Sequence, residues 1–383
     1  MVNSKRSAYL DNAATTYPKP EEVYRAVESF MRDVGGSAGR SGHRRSVEAG
    51  RLVYEARAAV AEVLGVSDPL RVVFTRNATE ALNIAIRGLV KPGDHVVTSS
   101  MEHNSVMRPL EALRREGVEY TVVRCREDGA LDPGDVEKEL RSGTAMVVLS
   151  HASNVTGTIL PVEDVAEMTS SRGIKLLVDG AQTVGRLPLD LSRGVDLLAF
   201  SGHKELFGPQ GTGVLWLGEG VELRPLCYGG TGTRSEELRQ PGELPERLES
   251  GTLNAPGIVG LGAGARFVAS RGIGRIRDQE VERLERLVDG LGRIQGVRAY
   301  GPADQRERVG IVPVAIEGRT CPQAAELLDV EHDIAVRAGL HCSPAAHRTI
   351  GTLETGALRI SLSLMNTDDD VDYFLECLRT VVP

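Results

Sequence analysis

The sequence has 383 residues, of which 41% are hydrophobic, 26% charged and only 4% aromatic, with 43 glycines. That length allows two domains of ordinary size, and few aromatics with many turn glycines favour an α/β enzyme over an all-β sandwich or a coiled coil. A formal charge of −8 gives no global attraction for nucleic acid or an anionic membrane surface.

The opening stretch MVNSKRSAYLDNAATT lacks an apolar h-region, and no apolar run is long enough to span a bilayer, so a cytoplasmic chain is expected. Residues 18–34, PKPEEVYRAVESFMRDV, predict a helix with proline in its first turn. From residue 71 apolar strands alternate with helical patterns. RVVFT (71–75) leads into the helical TEALNIAIRGL, which stops at the turn 91–94, and HVVTSS (95–100) leads into a helix near 104–116. EYTVV (119–123) precedes a helix near 133–141, and AMVVLSH (145–151) one near 162–172. IKLLVD (174–179), VDLLAF (195–200) and GVLWL (213–217) follow. Strands that read as unbroken Val, Leu and Ile are buried on both faces, and this alternation predicts a mostly parallel sheet covered by helices.

After about residue 260 the pattern changes. A long helical stretch near 256–292 leads to strands near 297–300 and 309–316 and a helix at 322–329. IAVRAG, ALRISLS and a final helix at 367–381 complete the chain. The expectation is a large α/β domain over 20–258 and a small α+β domain over 259–383, the latter completed by the segment 1–19 and by the helix after it. GLGAGA (260–265) lacks the GxGxxG spacing and follows no strand, which disfavours nicotinamide binding.

Cysteines stand at 125, 227, 321, 342 and 377. Their number is odd and no pair has CxxC spacing, so neither disulfides nor a zinc site are expected, and no metal is assigned. A lone cysteine is ordinarily a small buried hydrophobe. Cys125 at a strand end and Cys377 in a helix fit that reading. Cys342, in RAGLHCSPAAH (337–347), does not, because the stretch reads as an exposed loop.

Two strand ends carry candidate chemistry. LLVDGAQTVG (176–185) ends a strand on Asp179 at the edge where ligands bind in open α/β sheets, although an aspartate there also serves as a helix N-cap. LLAFSGHKELFGPQGTG (197–213) carries a buried strand into Ser201, His203 and Lys204. A lysine is normally a solvated surface residue, but this one sits over the sheet edge near Asp179. An amine facing a strand-end carboxylate suits pyridoxal 5'-phosphate, whose Schiff base needs the lysine and whose pyridine nitrogen needs the acid. Ala78 and Thr79 stand at a strand-to-helix junction, where a helix N-terminus attracts a phosphate, and Ser201 and His203 add donors. His103, in MEHNSV after another strand end, is placed to stack on the ring.

The stretches YLDNAATT, TRNATEALN, EHNS, SNVTGTILPV, VDGAQTVG, FSGHKELFGPQGTGVL and ESGTLNAPGIVGL together resemble the class V aminotransferase family, in its cysteine desulfurase and selenocysteine lyase branch. The resemblance runs from about residue 9 to 380. It implies fold type I of the pyridoxal-phosphate-dependent transferases, with a mostly parallel sheet of the seven-stranded type in the large domain and a smaller α+β domain. It also implies that Lys204 binds the cofactor covalently, Asp179 contacts the pyridine nitrogen, Gln182 bonds the ring oxygen and His103 stacks. Thr79, Ser201 and His203 would hold phosphate, with Thr252 reaching across from the other subunit of a homodimer. Asn154 and Arg359 would hold the substrate carboxylate, the arginine as a bidentate fork, with Arg337 the next candidate.

RAGLHC resembles the segment that carries the nucleophilic cysteine of desulfurases, and Cys342 matches it. A sulfur acceptor has to reach the substrate and then present its cargo, so a mobile loop is expected, with Arg337, His341 and His347 favouring the thiolate. The implied reaction takes L-cysteine to L-alanine, leaves a persulfide on Cys342 and passes the sulfur to an acceptor such as an iron–sulfur scaffold protein. The alternatives within the fold are a selenocysteine lyase and an aminotransferase or β-lyase. Cys342 and Arg359 lie 17 positions apart (359 − 342), which resembles the short-loop group of desulfurases.

Overall fold

The computed structural model describes residues 6–234 and 236–383. Met1–Lys5 of the expected N-terminal segment lie outside the described residues. After a short strand β1 (Ala8–Tyr9), seven strands form the main sheet: β2 (Val72–Thr75), β3 (His95–Ser99), β4 (Glu119–Val123), β5 (Thr144–Ser150), β6 (Lys175–Asp179), β7 (Leu197–Ser201) and β8 (Gly213–Leu217). Their order is β2-β8-β7-β6-β5-β3-β4. The pairs from β7 through β4 are parallel, and β8 alone runs antiparallel, to both β2 and β7. The sheet is therefore mostly parallel and seven-stranded, as expected. Its central strands are buried on both faces because their side chains feed two separate apolar clusters, Val147, Leu176 and Val178 on one side and Met146, Val148 and Leu177 on the other.

Five strands follow: β9 (Val297–Ala299), β10 (Ile311–Ile316), β11 (Ile334–Ala335), β12 (Arg337–Gly339) and β13 (Ala357–Ser361). Four of them make an antiparallel sheet in the order β12-β13-β10-β9, and β11 pairs in parallel with β1. Ala8 and Leu10 accordingly join the core of this second sheet with Val312, Ile360 and Phe374.

The helices are α1 (Glu21–Ser29), α2 (Arg44–Leu64), α3 (Ala78–Leu89), α4 (Asn104–Arg114), α5 (Pro133–Glu139), α6 (Val162–Ser170), α7 (Ala255–Arg271), α8 (Ile273–Gly292), α9 (Cys321–His332), α10 (Pro344–Thr349) and α11 (Asp368–Val381). Three differences from the expected organisation have physical causes. Helix α1 packs on α7 and gives Val23 to the main core, as does Phe30 in the turn that follows, so neither joins the core of the second sheet. The helical stretch near 256–292 is two helices, because Gly272 at φ +78° turns the chain between them. Helix α7 runs across the expected boundary at 258/259 and packs against α2.

Helix α2 was not foreseen. Its buried face is Ala49, Val53, Ala56 and Val60, at helical spacing but in small residues that give a weak apolar signal. It is anchored by a buried pair in which Arg57 Nη1 and Nη2 donate to Glu249 at 2.7 and 2.9 Å. Glu249 also accepts from the Phe74 amide at 2.6 Å, which fixes β2 and so the start of α3. No described helix is long and apolar enough to cross a membrane.

Candidate active site

Five strands that run in the same direction end at one edge of the main sheet. There Asn77–Thr79 follow β2, His103 follows β3, Ser150–Asn154 end and follow β5, Asp179 ends β6, and Ser201–Lys204 end and follow β7. They surround a cavity of about 310 Å³, which Gln182, Arg337, His341 and Arg359 also line. Of the residues singled out in the sequence, Ala78, Thr79, His103, Asn154, Asp179, Gln182, Ser201, His203, Lys204, Arg337 and Arg359 all meet here. Thr252 does not. It is exposed and lines a neighbouring cavity with Thr75, Arg76 and Cys227.

Lys204 is held by the N-terminal segment. Thr16 Oγ1 donates to the Lys204 carbonyl at 2.9 Å, and Lys19 Nζ donates to the His203 carbonyl at 2.7 Å. Burial lowers the Lys204 amine to about 8, partly opposed by the negative charge of Asp179. Asp179 accepts from the Ala181 amide at 3.0 Å, closing a turn; no helix starts there, so it is not the N-cap that the sequence also allowed. Burial raises its carboxyl above the usual range.

His103 Nδ1 accepts from the Ser105 amide at 3.0 Å and lies 2.9 Å from Ser105 Oγ, which in turn meets Thr79 Oγ1 at 2.7 Å. A nitrogen that accepts from a backbone amide carries no proton, so the ring's proton sits on Nε2. Burial pushes this imidazole down to about 4, which keeps it neutral. Ser201 Oγ accepts from the Ala78 amide at 3.2 Å, joining the two strand ends that frame the start of α3.

Three atoms of residues that line this cavity are buried with no hydrogen-bond partner: Gln182 Oε1, His203 Nδ1 and Arg359 Nε. Gln182 is positioned by its Nε2, which donates to the Ala13 carbonyl at 3.1 Å. Buried polar atoms without partners are costly, and atoms of this kind facing a cavity suit a polar ligand.

Arg359 has two partners within the chain. Its Nη2 donates to Asp11 at 2.8 Å and its Nη1 to the Asn154 carbonyl at 3.0 Å. Three of the five guanidinium N–H groups (5 − 2) remain, including the buried, unpartnered Nε.

The Cys342 loop is tied down on both sides of the cysteine by hydrogen bonds. Asn154 Nδ2 donates to the His341 carbonyl at 2.8 Å, and its Oδ1 accepts from Ser343 Oγ at 2.6 Å. The Asn104 amide, at the start of α4, donates to the Cys342 carbonyl at 2.9 Å. The cysteine side chain itself is exposed. Of the three cations expected near it, only Arg337 faces the sulfur, with Nη2 3.8 Å from Sγ. His341 and His347 are buried and bonded to each other, and burial lowers them to about 3 and about 4, so neither brings a charge to the thiol.

Glu102 went unassigned in the sequence although it adjoins His103. It is fully buried, accepting from Ser99 Oγ at 2.6 Å, Ser150 Oγ at 2.7 Å and the Ser150 amide at 3.0 Å, and burial raises it to about 7. It ties the ends of β3 and β5 together beneath the cavity.

The family model for Aminotransferase class-V matches residues 8–374. This chain belongs to the class V aminotransferase family. It is 35% identical to a probable cysteine desulfurase of Methanothermobacter thermautotrophicus over 97% of its own length and 94% of that protein's. It is 31% identical to the cysteine desulfurase IscS of Dictyoglomus turgidum, over 99% of this chain and 95% of that one. Among solved structures, the apo cysteine desulfurase of Thermococcus onnurineus superposes with a TM-score of 0.92 at 33% identity, covering 98% of this chain and 94% of the other. The desulfurase CsdA of Escherichia coli superposes at 0.86 with 28% identity over 97% of this chain and 94% of that one. The fold of these neighbours is the type I fold expected from the sequence.

Proposed function

We propose that this protein is a pyridoxal-phosphate-dependent cysteine desulfurase that converts L-cysteine to L-alanine and leaves the sulfur on Cys342. The observation that carries this reading is one cavity holding Lys204 and Asp179, with an exposed cysteine beside it whose neighbours Arg337 and His341 form its wall. The family membership and the desulfurase names of the relatives support it.

The residues present fit the cofactor. Lys204 would hold it covalently, Asp179 would bond its pyridine nitrogen, and Gln182 would donate the second N–H of its side-chain amide to the ring oxygen. Ala78, Thr79, Ser201 and His203 would bind phosphate at the positive end of α3, with Thr252 of a second subunit. When bound, pyridoxal phosphate supplies an electron sink for the Cα substituents of an amino acid. Lys204 Nζ, lowered to about 8 by burial, takes the Cα proton and returns it at neutral pH. His103 stays neutral and covers the ring face.

Arg359 binds the substrate carboxylate with the N–H groups that Asp11 and Asn154 leave free, and Asn154 offers its second amide proton. Cys342 attacks as thiolate on the substrate sulfur. The Sγ–S bond forms, the Cβ–S bond breaks, and the electron pair stays on Cβ, which becomes the methyl group of alanine on protonation. Substrate sulfur is thereby oxidised to the persulfide level and Cβ is reduced, with no external oxidant. The terminal sulfur then passes to an acceptor protein such as an iron–sulfur scaffold, which has to approach the anchored loop. Incubating the protein with L-cysteine and a reductant, and assaying alanine and sulfide together, tests the reaction. Equal amounts of the two support it, amino-group transfer to a keto acid rejects it, and a strong preference for L-selenocysteine assigns the lyase instead.

A further inference from the structure

His341 and His347 take no part in the reaction as proposed, yet both are buried to 3% and 0% exposure beside its nucleophile. Their rings stack with centroids 5.3 Å apart. His341 Nε2 lies 3.2 Å from the Arg337 carbonyl, His341 Nδ1 lies 3.1 Å from His347 Nε2, and His347 Nδ1 lies 2.7 Å from Thr352 Oγ1. A carbonyl can only accept, so His341 carries its proton on Nε2 and accepts at Nδ1. His347 must then donate from Nε2 and accept from the Thr352 hydroxyl. The chain thus runs in one direction, Thr352 to His347 to His341 to the backbone of Arg337, and requires both rings neutral. Burial, which lowers them to about 3 and about 4, meets that requirement.

The end point of this chain is informative. Arg337 is the residue whose guanidinium faces Cys342 Sγ at 3.8 Å. Between them the chain makes a tight turn in which His341 and Cys342 both have positive φ, 51° and 58°. Non-glycine residues seldom adopt this region and persist there only where the surroundings over-determine them. Asn154 and the Asn104 amide hold the turn from the main-sheet side. The histidine chain also ties it to α10, which gives Ala346 to the main core, with Ile350 just after it.

We propose that Thr352, His347 and His341 form a neutral positioning relay, which holds the strained turn so that Cys342 Sγ and Arg337 are presented together to the substrate sulfur. This rests on the reading of Cys342 as the sulfur acceptor. The relay works through hydrogen bonds and carries no proton in the reaction, so His347 is a positioning residue.

The test uses the full-length holoenzyme with His347→Leu, His347→Gln and Thr352→Val, following the cofactor band on addition of L-cysteine and then alanine release. Neither His347 nor Thr352 lines the cavity, so the band shift and KM should stay within about two-fold of wild type in all three. Misplacing a reacting atom by a fraction of an ångström costs up to about 100-fold, so His347→Leu should lower kcat by about 10- to 100-fold. Glutamine can accept from Thr352 and donate to His341 but cannot titrate, so His347→Gln should recover most of that loss. Thr352→Val, a milder change, should show a smaller fall in kcat alone, and it keeps the test open if His347→Leu does not fold. Wild-type kcat in the leucine and valine variants overturns the relay. So does a glutamine variant as slow as leucine, which would mean that the imidazole titrates, or a loss that appears in KM. If the wild-type protein itself never places sulfur on Cys342, the desulfurase reading falls and takes this inference with it. Variants that match a competent wild type remove the relay alone.

Discussion

Asp11 accepts a hydrogen bond from Nη2 of Arg359 at 2.8 Å, across 348 residues of sequence (359 − 11), while Nε of the same guanidinium remains buried without a partner. The pair explains how an arginine 1% exposed is tolerated in the middle of a strand, and the free N–H groups explain why it lines the cavity. Arg359→Ala should therefore raise KM for L-cysteine by about 100-fold, the scale for losing a buried charged hydrogen-bond partner. The absorption band of the bound cofactor should not change. Unaltered KM would move carboxylate binding to Arg337.

Lys204 titrates in an unusual range. Its amine is lowered from the ordinary 10.5 to about 8, with burial the larger cause and Asp179 opposing it. A lowered amine pKa means that the neutral, nucleophilic form is reached at lower pH. In cofactor-free protein, reductive methylation of Lys204 followed by mass spectrometry should rise with pH through a midpoint near 8, a range it shares with the half-buried Lys19, which burial also lowers to about 8. In the holoenzyme, borohydride should fix the cofactor to the peptide containing Lys204. A labelling midpoint near 10.5, or cofactor on another lysine, would contradict the assignment.

Acid should destabilise the folded chain earlier than its carboxylates alone require. Burial pushes His103, His151, His203 and His347 down to about 4 and His341 to about 3, from an ordinary 6.5. Below about 6.5 the unfolded chain binds protons at these positions that the folded chain refuses, so stability falls as pH drops from 6.5 toward 4. Glu102, raised to about 7, and Asp179, also raised, act in the opposite direction because the folded state holds their protons. Five imidazoles outweigh two carboxyls. Scanning calorimetry of the cofactor-free protein should give a Tm lower at pH 5 than at pH 7 by roughly 5 °C or more. An equal or higher Tm at pH 5 would contradict the neutral histidines.

Thr252 lies outside the cavity of its own chain, exposed beside Arg76 and Cys227. A role in phosphate binding therefore requires a second copy. Sedimentation should find a homodimer, and Thr252→Val should weaken cofactor retention by about ten-fold, the loss of one hydrogen bond to a charged group. A monomer that holds pyridoxal phosphate tightly would remove Thr252 from the site.

Much of this site was legible because its residues follow apolar runs. Asp179 and Lys204 sit at or just past strand ends that read as unbroken Leu, Val and Phe, and the sheet edge follows from that pattern alone. The direction of β8 was not legible, since a buried run looks the same in either direction. Helix α2 was hidden by its alanines. The partners of the site residues were beyond reach for a different reason. Asp11 with Arg359, Asn154 with Ser343 and His203 with Thr16 join segments nearly 190 residues or more apart, and no periodicity encodes such contacts. The same holds for the anchored Cys342 turn, where two residues adopt positive φ without a glycine to announce it.

The central claim is that sulfur leaves the substrate on Cys342, and it can be read directly. After brief incubation of the holoenzyme with L-cysteine and no reductant, peptide mass spectrometry should find one added sulfur on the peptide containing Cys342, removable by a thiol. Cys342→Ser should bind cofactor normally, release alanine from L-cysteine at a small fraction of the wild-type rate and gain no sulfur. Added sulfur on Cys125, Cys227, Cys321 or Cys377, or a serine variant that desulfurates at the full rate, would contradict the account.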